Sequence, residues 1–286
     1  MRSSVNLSSI RAPHGGEVLL RDLVHERTGL YFDDVRVDVF IERVSPLVLE
    51  RGFGSLLDYY YFLKHDPTSA DEWRKIFDAL TVQESFFWRE LDQIRVLVDR
   101  IVPQYFSAHP YRPLNIWSAA CAAGQEPLTI AMALHEAGWF DRGGIDIYAT
   151  DASPRAVGAA RKGVYRERSF RSLPPELREK YFLRDAAGAG GLVRVSSELH
   201  SRVRWGIANL TSEADLALAA MTSPVIFCRN VFIYFSESSA RKTVRIFAER
   251  MPRPGYLFVG MTESLLQIAS DFQLEEIGDT FVYVKN

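Results

Sequence analysis

The chain is poor in cysteine. Cys121 and Cys228 are the only two, and neither sits in a CxxC pair or a Cys/His cluster of zinc spacing, so both are expected as small buried side chains and neither a disulfide framework nor a zinc module is expected. The histidines form no HExxH pattern, and GxSxG and GxxxxGK[ST] are missing, so metallopeptidase, serine-hydrolase and P-loop chemistries lose their usual signatures. No metal is expected. Charge of one sign is also scarce: 34 Lys and Arg oppose 36 Asp and Glu, a formal charge of -2, which leaves no global basic field to hold a nucleic-acid backbone. Nor are there long apolar runs. The longest stretches free of Lys, Arg, Asp and Glu, Pro113–Gln125 and Leu216–Cys228, have 13 residues each, short of the roughly 20 that span a bilayer. The opening MRSSVNLSSIR is polar and lacks an apolar core, so a cytoplasmic protein with no membrane insertion is expected.

What is present fits a globular chain of about two domains, with 286 residues, 47% of them hydrophobic and 24% charged. Residues 1–80 read as helices. Leu19, Leu20, Leu23 and Val24, then Val37, Phe40, Ile41 and Val44, then Trp73, Ile76, Phe77 and Leu80 fall at three- and four-residue steps, with Gly29 as a stop and Gly52 and Gly54 as breaks. Residues 81–113 read as a linker and helix. From Leu114 the texture changes to short apolar runs ending in small or polar residues, alternating with helical stretches. That is the pattern of a parallel sheet with crossover helices. Strands are expected at Leu114–Ser118, Asp146–Thr150, Val203–Ile207, Val225–Cys228 and Tyr256–Val259, and helices at Glu126–Ala137, Pro154–Lys162 and Glu237–Arg250. A terminal hairpin is expected from Phe272–Ile277 and Phe281–Val284 around Gly278-Asp279. Residues 114–286 are therefore an α/β domain, with an insert at 163–203 in which Pro174-Pro175 opens a short helix and AAGAGG at 186–191 leads to a small β element.

In an open α/β sheet, ligands bind beyond the carboxyl ends of the strands. Ser118-Ala119-Ala120-Cys121-Ala122-Ala123-Gly124 follows the first strand, yet only Gly124 remains of a GxGxxG-like pattern, so a dinucleotide pyrophosphate is a poor match. Glu126 at the helix entrance suits a cationic ligand, or else simply stabilises the first turn of its helix. Asp151 ends the second strand, where it can accept hydrogen bonds from ribose hydroxyls or cap the helix at Pro154. Two acids without a phosphate-binding loop fit a nucleoside with a positively charged amino-acid tail, the shape of S-adenosylmethionine. Asn209-Leu210 and Arg229-Asn230 fall at later strand ends. In FCRNVFIYF, from Phe227 to Phe235, Arg229 and Asn230 interrupt an apolar run and need a ligand or a network. Tyr234, four residues past Asn230, would face the same cavity through a helical turn.

In order, these segments resemble the chemotaxis receptor methyltransferase (CheR) family, over most of the chain. Gln83-Glu84-Ser85-Phe86-Phe87-Trp88-Arg89 is similar to that family's N-E-T-x-F-F-R linker, with Gln83, Ser85 and Trp88 as departures. Trp117–Pro127 is similar to W-S-A-x-C-x-x-G-E-E-P, with Gln125 for the first Glu and Glu126 as the second; Ala149–Asp151, Gly163–Tyr165, Asn209-Leu210 and Glu263–Leu265 also fit. The resemblance implies a Rossmann-like class I methyltransferase sheet with a small all-helical N-terminal domain and a short inserted β element. It also implies methyl transfer from S-adenosylmethionine to receptor glutamates, with the cytoplasmic helices of methyl-accepting receptors as partners. Gln83, Ser85, Arg89, Glu126, Asp151, Asn209, Leu210, Arg229 and Asn230 are then cofactor-side candidates, and Arg89 and Tyr234 catalytic ones. Two other readings are a regulatory module that binds the cofactor or its demethylated product without transfer, and an enzyme acting on nucleic acid or small molecules; charge balance and the linker disfavour the latter. The chain departs from the family in its first 80 residues, where 10 Lys and Arg stand against 13 Asp and Glu. A basic receptor-facing helix is not expected there, and the Gly-rich insert is a weak template for a receptor tail.

Overall fold

The computed structural model describes residues 15–184, 191–220 and 223–286. The opening MRSSVNLSSIR and all of AAGAGG but Gly191 therefore lie outside the described residues. Two compact units emerge, one comprising residues up to 82 with 234–239, the other 83–233 with 240–286.

Among its described residues the first unit runs through α1 (Gly16–Thr28), α2 (Val37–Glu50), α3 (Leu56–His65) and α4 (Ala70–Leu80). Helical spacing puts Leu20, Leu23 and Val24 on one face of α1, and they pack with Phe40, Val44, Tyr59, Leu63, Ile76 and Leu80 in one cluster. Burying a side chain of this size contributes about 1.5–3 kcal/mol. Gly29 ends α1 as the sequence indicated, at φ 77 with its N–H donating to His25 O. Ser55 caps α3 by accepting from Asp58 N. Buried among these helices, Glu72 accepts from the Tyr59 hydroxyl at 3.1 Å and pairs with Lys75 at 3.6 Å, so its charge is not left alone.

The second unit opens with α5 (Leu91–Val96), which continues through a π turn at Leu97–Ile101 into α6 (Val102–Ala108). It then alternates: β1 (Leu114–Ala119), α7 (Gln125–Glu136), α8 (Trp139–Arg142), β2 (Ile145–Asp151), α9 (Pro154–Lys162), β3 (Val164–Tyr165), α10 (Pro175–Tyr181), β4 (Phe182–Arg184), β5 (Val193–Val195) and α11 (Ser197–His200). There follow β6 (Val203–Ile207), α12 (Glu213–Ala220), β7 (Val225–Phe227), α13 (Glu237–Arg250), β8 (Gly255–Phe258), β9 (Gln273–Ile277) and β10 (Thr280–Lys285). Seven strands form one sheet in the order β6-β2-β1-β7-β8-β10-β9, while β3-β5-β4 make a small antiparallel sheet in the insert. The pairs from β6 to β8 are parallel, and β10 runs antiparallel to both β8 and β9.

This is the α/β architecture that the alternation indicated, with the helical N-terminal unit and small inserted sheet that the resemblance implied. The expected strands fall within one residue of their observed bounds, and β7 and β8 are short apolar runs buried on both faces. β1 is central: Leu114, Ile116, Trp117 and Ala119 have no exposure, and the Trp117 indole N–H donates to Thr150 Oγ1 at 3.0 Å. The chain leaves β1 toward β2 on one side and toward β7 on the other, and this reversal opens a crevice beyond the ends of β1. Among the described residues no helix is long and apolar enough to cross a membrane.

Candidate functional site

The loop after β1 is built from small residues because the backbone must turn sharply. Ala120 and Ala122 have φ 66 and 50, and Gly124 has φ 91. Gly124 is required twice, by its left-handed backbone and because an added Cβ would lie 2.8 Å from Trp205 Cη2. Backbone bonds hold the loop in place: Cys121 N–H donates to Thr150 O at 2.8 Å and Gly124 N–H to Cys121 O at 2.9 Å. From outside, the Tyr165 hydroxyl donates to Ala123 O at 2.9 Å.

Asp151 closes β2 as placed by the sequence, but it does not cap the next helix. Ser153 does, accepting from Ala156 N at 3.0 Å. The Asp151 carboxylate accepts the Ala122 N–H and the Ser153 N–H, both at 2.9 Å. It therefore ties the loop after β1 to the end of β2, which sets aside the capping alternative.

Arg229 is the hub of the site. Its side chain is 3% exposed, and a guanidinium so buried needs partners. Nε and Nη2 donate to Glu90 Oε2 at 3.1 and 2.8 Å, Nη1 to Glu126 Oε2 at 3.3 Å, and Nη2 also to the Arg89 carbonyl at 2.9 Å. The other oxygen of Glu126 accepts from Ser118 Oγ at 2.6 Å. Glu126 is thus both a first-turn residue of α7 and a ligand of a cation, though the cation here is a side chain. Burial pushes its carboxyl up from the usual range, against the opposing pull of Arg229 and Ser118. Arg89 is one-third exposed, 3.7 Å from Glu90 Oε1, and its guanidinium lies over the Phe86 ring.

The linker carrying Arg89 is fastened along its length. Phe87 is fully buried in an aromatic box with Tyr165, Phe170 and Phe182, at centroid distances of 4.8, 5.3 and 4.9 Å. Its N–H donates to Ser169 O, and the Trp88 N–H donates to Thr129 Oγ1 on α7. Trp88 and Glu90 take left-handed φ of 69 and 49, which turns the Glu90 carboxylate toward Arg229.

Asn230, at φ 59, is held by its N–H on Glu263 Oε2 at 2.7 Å. The same oxygen takes the Gly260 N–H at 2.7 Å, and Glu263 Oε1 takes the Ile233 N–H at 3.3 Å. The step from Asn230 to Tyr234 is consequently not a helical turn: a left-handed residue is followed by a 3-10 turn over Phe232–Tyr234. Tyr234 groups with the helical unit, where its carbonyl accepts the Tyr31 N–H at 2.8 Å. Asn209 Oδ1 is engaged in its own turn, accepting from Thr211 N and Oγ1, while buried Leu210 offers its carbonyl to Thr243 Oγ1.

Gln83 and Ser85 line a cavity of about 650 Å³ together with Ala123, Gln125 and Tyr165. Gln125 is 5% exposed and its Oε1, buried, meets no hydrogen-bond donor among the described residues. The site thus brings together Arg89, Glu126 and Arg229 in one network and Gln83 and Ser85 in one cavity, with Asp151 fixing the loop that borders both. It adds Glu90, Ser118 and Glu263. Glu90 carried one signal in the sequence, an acid directly beside Arg89 in the linker.

The residues present fit S-adenosylmethionine. The orphaned Gln125 oxygen, beside the cavity that Gln83 and Ser85 line, can accept from an ammonium. Both cysteine thiols are buried, which pushes them well above the ordinary range and leaves them neutral.

Comparisons with known proteins agree. Residues 83–281 match the family described as CheR methyltransferase, SAM binding domain, and residues 18–81 match CheR methyltransferase, all-alpha domain. The chain is 31% identical to a chemotaxis protein methyltransferase 2 of Vibrio cholerae over 268 residues, covering 93% of this chain and 91% of the other. It is 32% identical to a chemotaxis protein methyltransferase of Klebsiella aerogenes, covering 89% and 85%, and 31% identical to chemotaxis protein methyltransferase 1 of Pseudomonas aeruginosa, covering 93% and 96%.

Proposed function

We propose that this chain, which belongs to the CheR methyltransferase family, is an S-adenosylmethionine-dependent methyltransferase whose product is a methyl ester on a glutamate side chain of a chemotaxis receptor. The relatives' name supports the receptor as partner. The observation that carries the reading is the Arg229 clamp. By binding Glu90, Glu126 and the Arg89 carbonyl at once, it fastens the linker bearing Arg89 to the crevice beyond β1.

When bound, S-adenosylmethionine supplies an electrophilic methyl on a positively charged sulfur. A glutamate acceptor, with an ordinary pKa of about 4.3, is already ionised near neutrality, so the chain need not provide a strong base. Its task is placement and removal of water, and positioning alone can supply about 7–11 kcal/mol of the barrier. Gln83, Ser85, Glu126, Asp151, Asn209, Leu210, Arg229 and Asn230 would hold the cofactor, with Gln125 as a further acceptor. Arg89 would orient the acceptor carboxylate without gripping it too tightly, since its charge is already shared with Glu90.

Methyl-labelled cofactor incubated with receptor-bearing membranes tests this. Base-labile label released as methanol is the expected product, with Arg89→Ala lowering turnover more than cofactor affinity. Cofactor uptake without any ester would favour the regulatory module instead.

A further inference from the structure

We infer that Arg166, Arg168 and Arg171 form a docking rim for acidic residues flanking the methyl-accepting glutamate of the protein substrate. This rests on the reading above and deepens it. The three arginines edge the cavity into which Gln83 and Ser85 face, on the segment that joins β3 to α10. All three are exposed, so their charges address something larger than a molecule enclosed by the cavity. Little nearby neutralises them. Glu167 is taken by Arg178 in a two-pronged pair at 2.6 and 2.7 Å, and Glu84 reaches only Arg171, at 3.4 Å. Among the described residues, Arg166 and Arg168 have no acidic partner.

The rim is continuous with the residue proposed to handle the acceptor. The Arg171 guanidinium lies 3.7 Å from the centre of the Phe86 ring, and that of Arg89 lies over the same ring at 5.7 Å. A carboxylate presented to Arg89 therefore has, one ring away, the start of a positive track. The remainder of the chain offers acidic segments no such welcome at its beginning, since residues 1–80 hold 10 Lys and Arg against 13 Asp and Glu. Exposed arginines meeting carboxylates steer encounter and fix register. The rim would thus choose which glutamates are presented.

The test uses two fluorescent helix-forming peptides with one central glutamate, flanked by glutamates in the first and glutamines in the second. Anisotropy titration at low salt should give the acidic peptide about tenfold tighter binding, a preference weakened by added salt. Arg166→Glu with Arg168→Glu should remove the preference, Arg166→Gln with Arg168→Gln should reduce it, and dialysis should show unchanged uptake of S-adenosylmethionine in both. Equal binding of the two peptides by the wild type, a preference that survives charge reversal, or loss of cofactor uptake in the reversed variant would each overturn the inference. Failure of the proposed function would look different: the acidic peptide and the cofactor both bind, and no ester forms.

Discussion

In the helical unit every described residue with left-handed backbone is a glycine, Gly15, Gly29 and Gly52. In the sheet-bearing unit Trp88, Glu90, Ala120, Ala122 and Asn230 take that conformation in spite of their side chains. Such backbone costs on the order of 1–3 kcal/mol per residue and persists only where surrounding bonds enforce it. The five lie in the linker, in the loop after β1 and at the end of β7, where Arg229, Asp151 and Glu263 collect backbone and carboxylate groups. One unit is therefore relaxed and held by apolar packing, while the other places its strain at the ligand crevice and restrains it with buried charge.

The largest expected effect removes that restraint. Arg229→Leu leaves Glu90 and Glu126 facing each other without their cation and should cost the sheet-bearing unit about 3–5 kcal/mol in urea unfolding; a loss below about 1 kcal/mol would mean the clamp restrains nothing. In the relaxed unit, Leu20→Ala should cost about 2–4 kcal/mol from the cavity it leaves, yet leave cofactor uptake in dialysis unaltered. Impaired uptake at native temperature would blur the contrast between the halves. Smallest is Ala122→Gly, which removes the Cβ penalty at φ 50 and should raise thermal stability by an amount equivalent to at most about 1 kcal/mol. A lowered Tm would show that the loop bears no strain.

Much of this was legible in the sequence, for local reasons. Central strands announce themselves as apolar runs, Gly278-Asp279 marks its hairpin, and Arg229 and Asn230, which interrupt the apolar run FCRNVFIYF and need a ligand or a network, do have a network. What the sequence hid depends on distance or on competition. Glu90 meets Arg229 across 139 residues, and no periodicity encodes that pairing. Asp151 and Ser153 are both good caps, and the choice fell to Ser153 only because the Asp151 carboxylate is drawn to the Ala122 N–H. The four-residue spacing from Asn230 to Tyr234 suggests a helical turn that the left-handed Asn230 forbids. Glu263 matched the family pattern, but its role of gathering three N–H groups needed the loop geometry to be seen.

Whether buried acids shape the crevice for a positively charged cofactor is tested most directly by the pH dependence of S-adenosylmethionine uptake. Because burial raises the Glu126 carboxyl above its ordinary value, uptake should be full above that raised value and fall as acidification protonates the group, at a higher pH than an ordinary glutamate would give. Glu126→Gln should bind about tenfold more weakly near neutrality and lose that step. Wild-type affinity with an unchanged pH profile in Glu126→Gln would contradict the account.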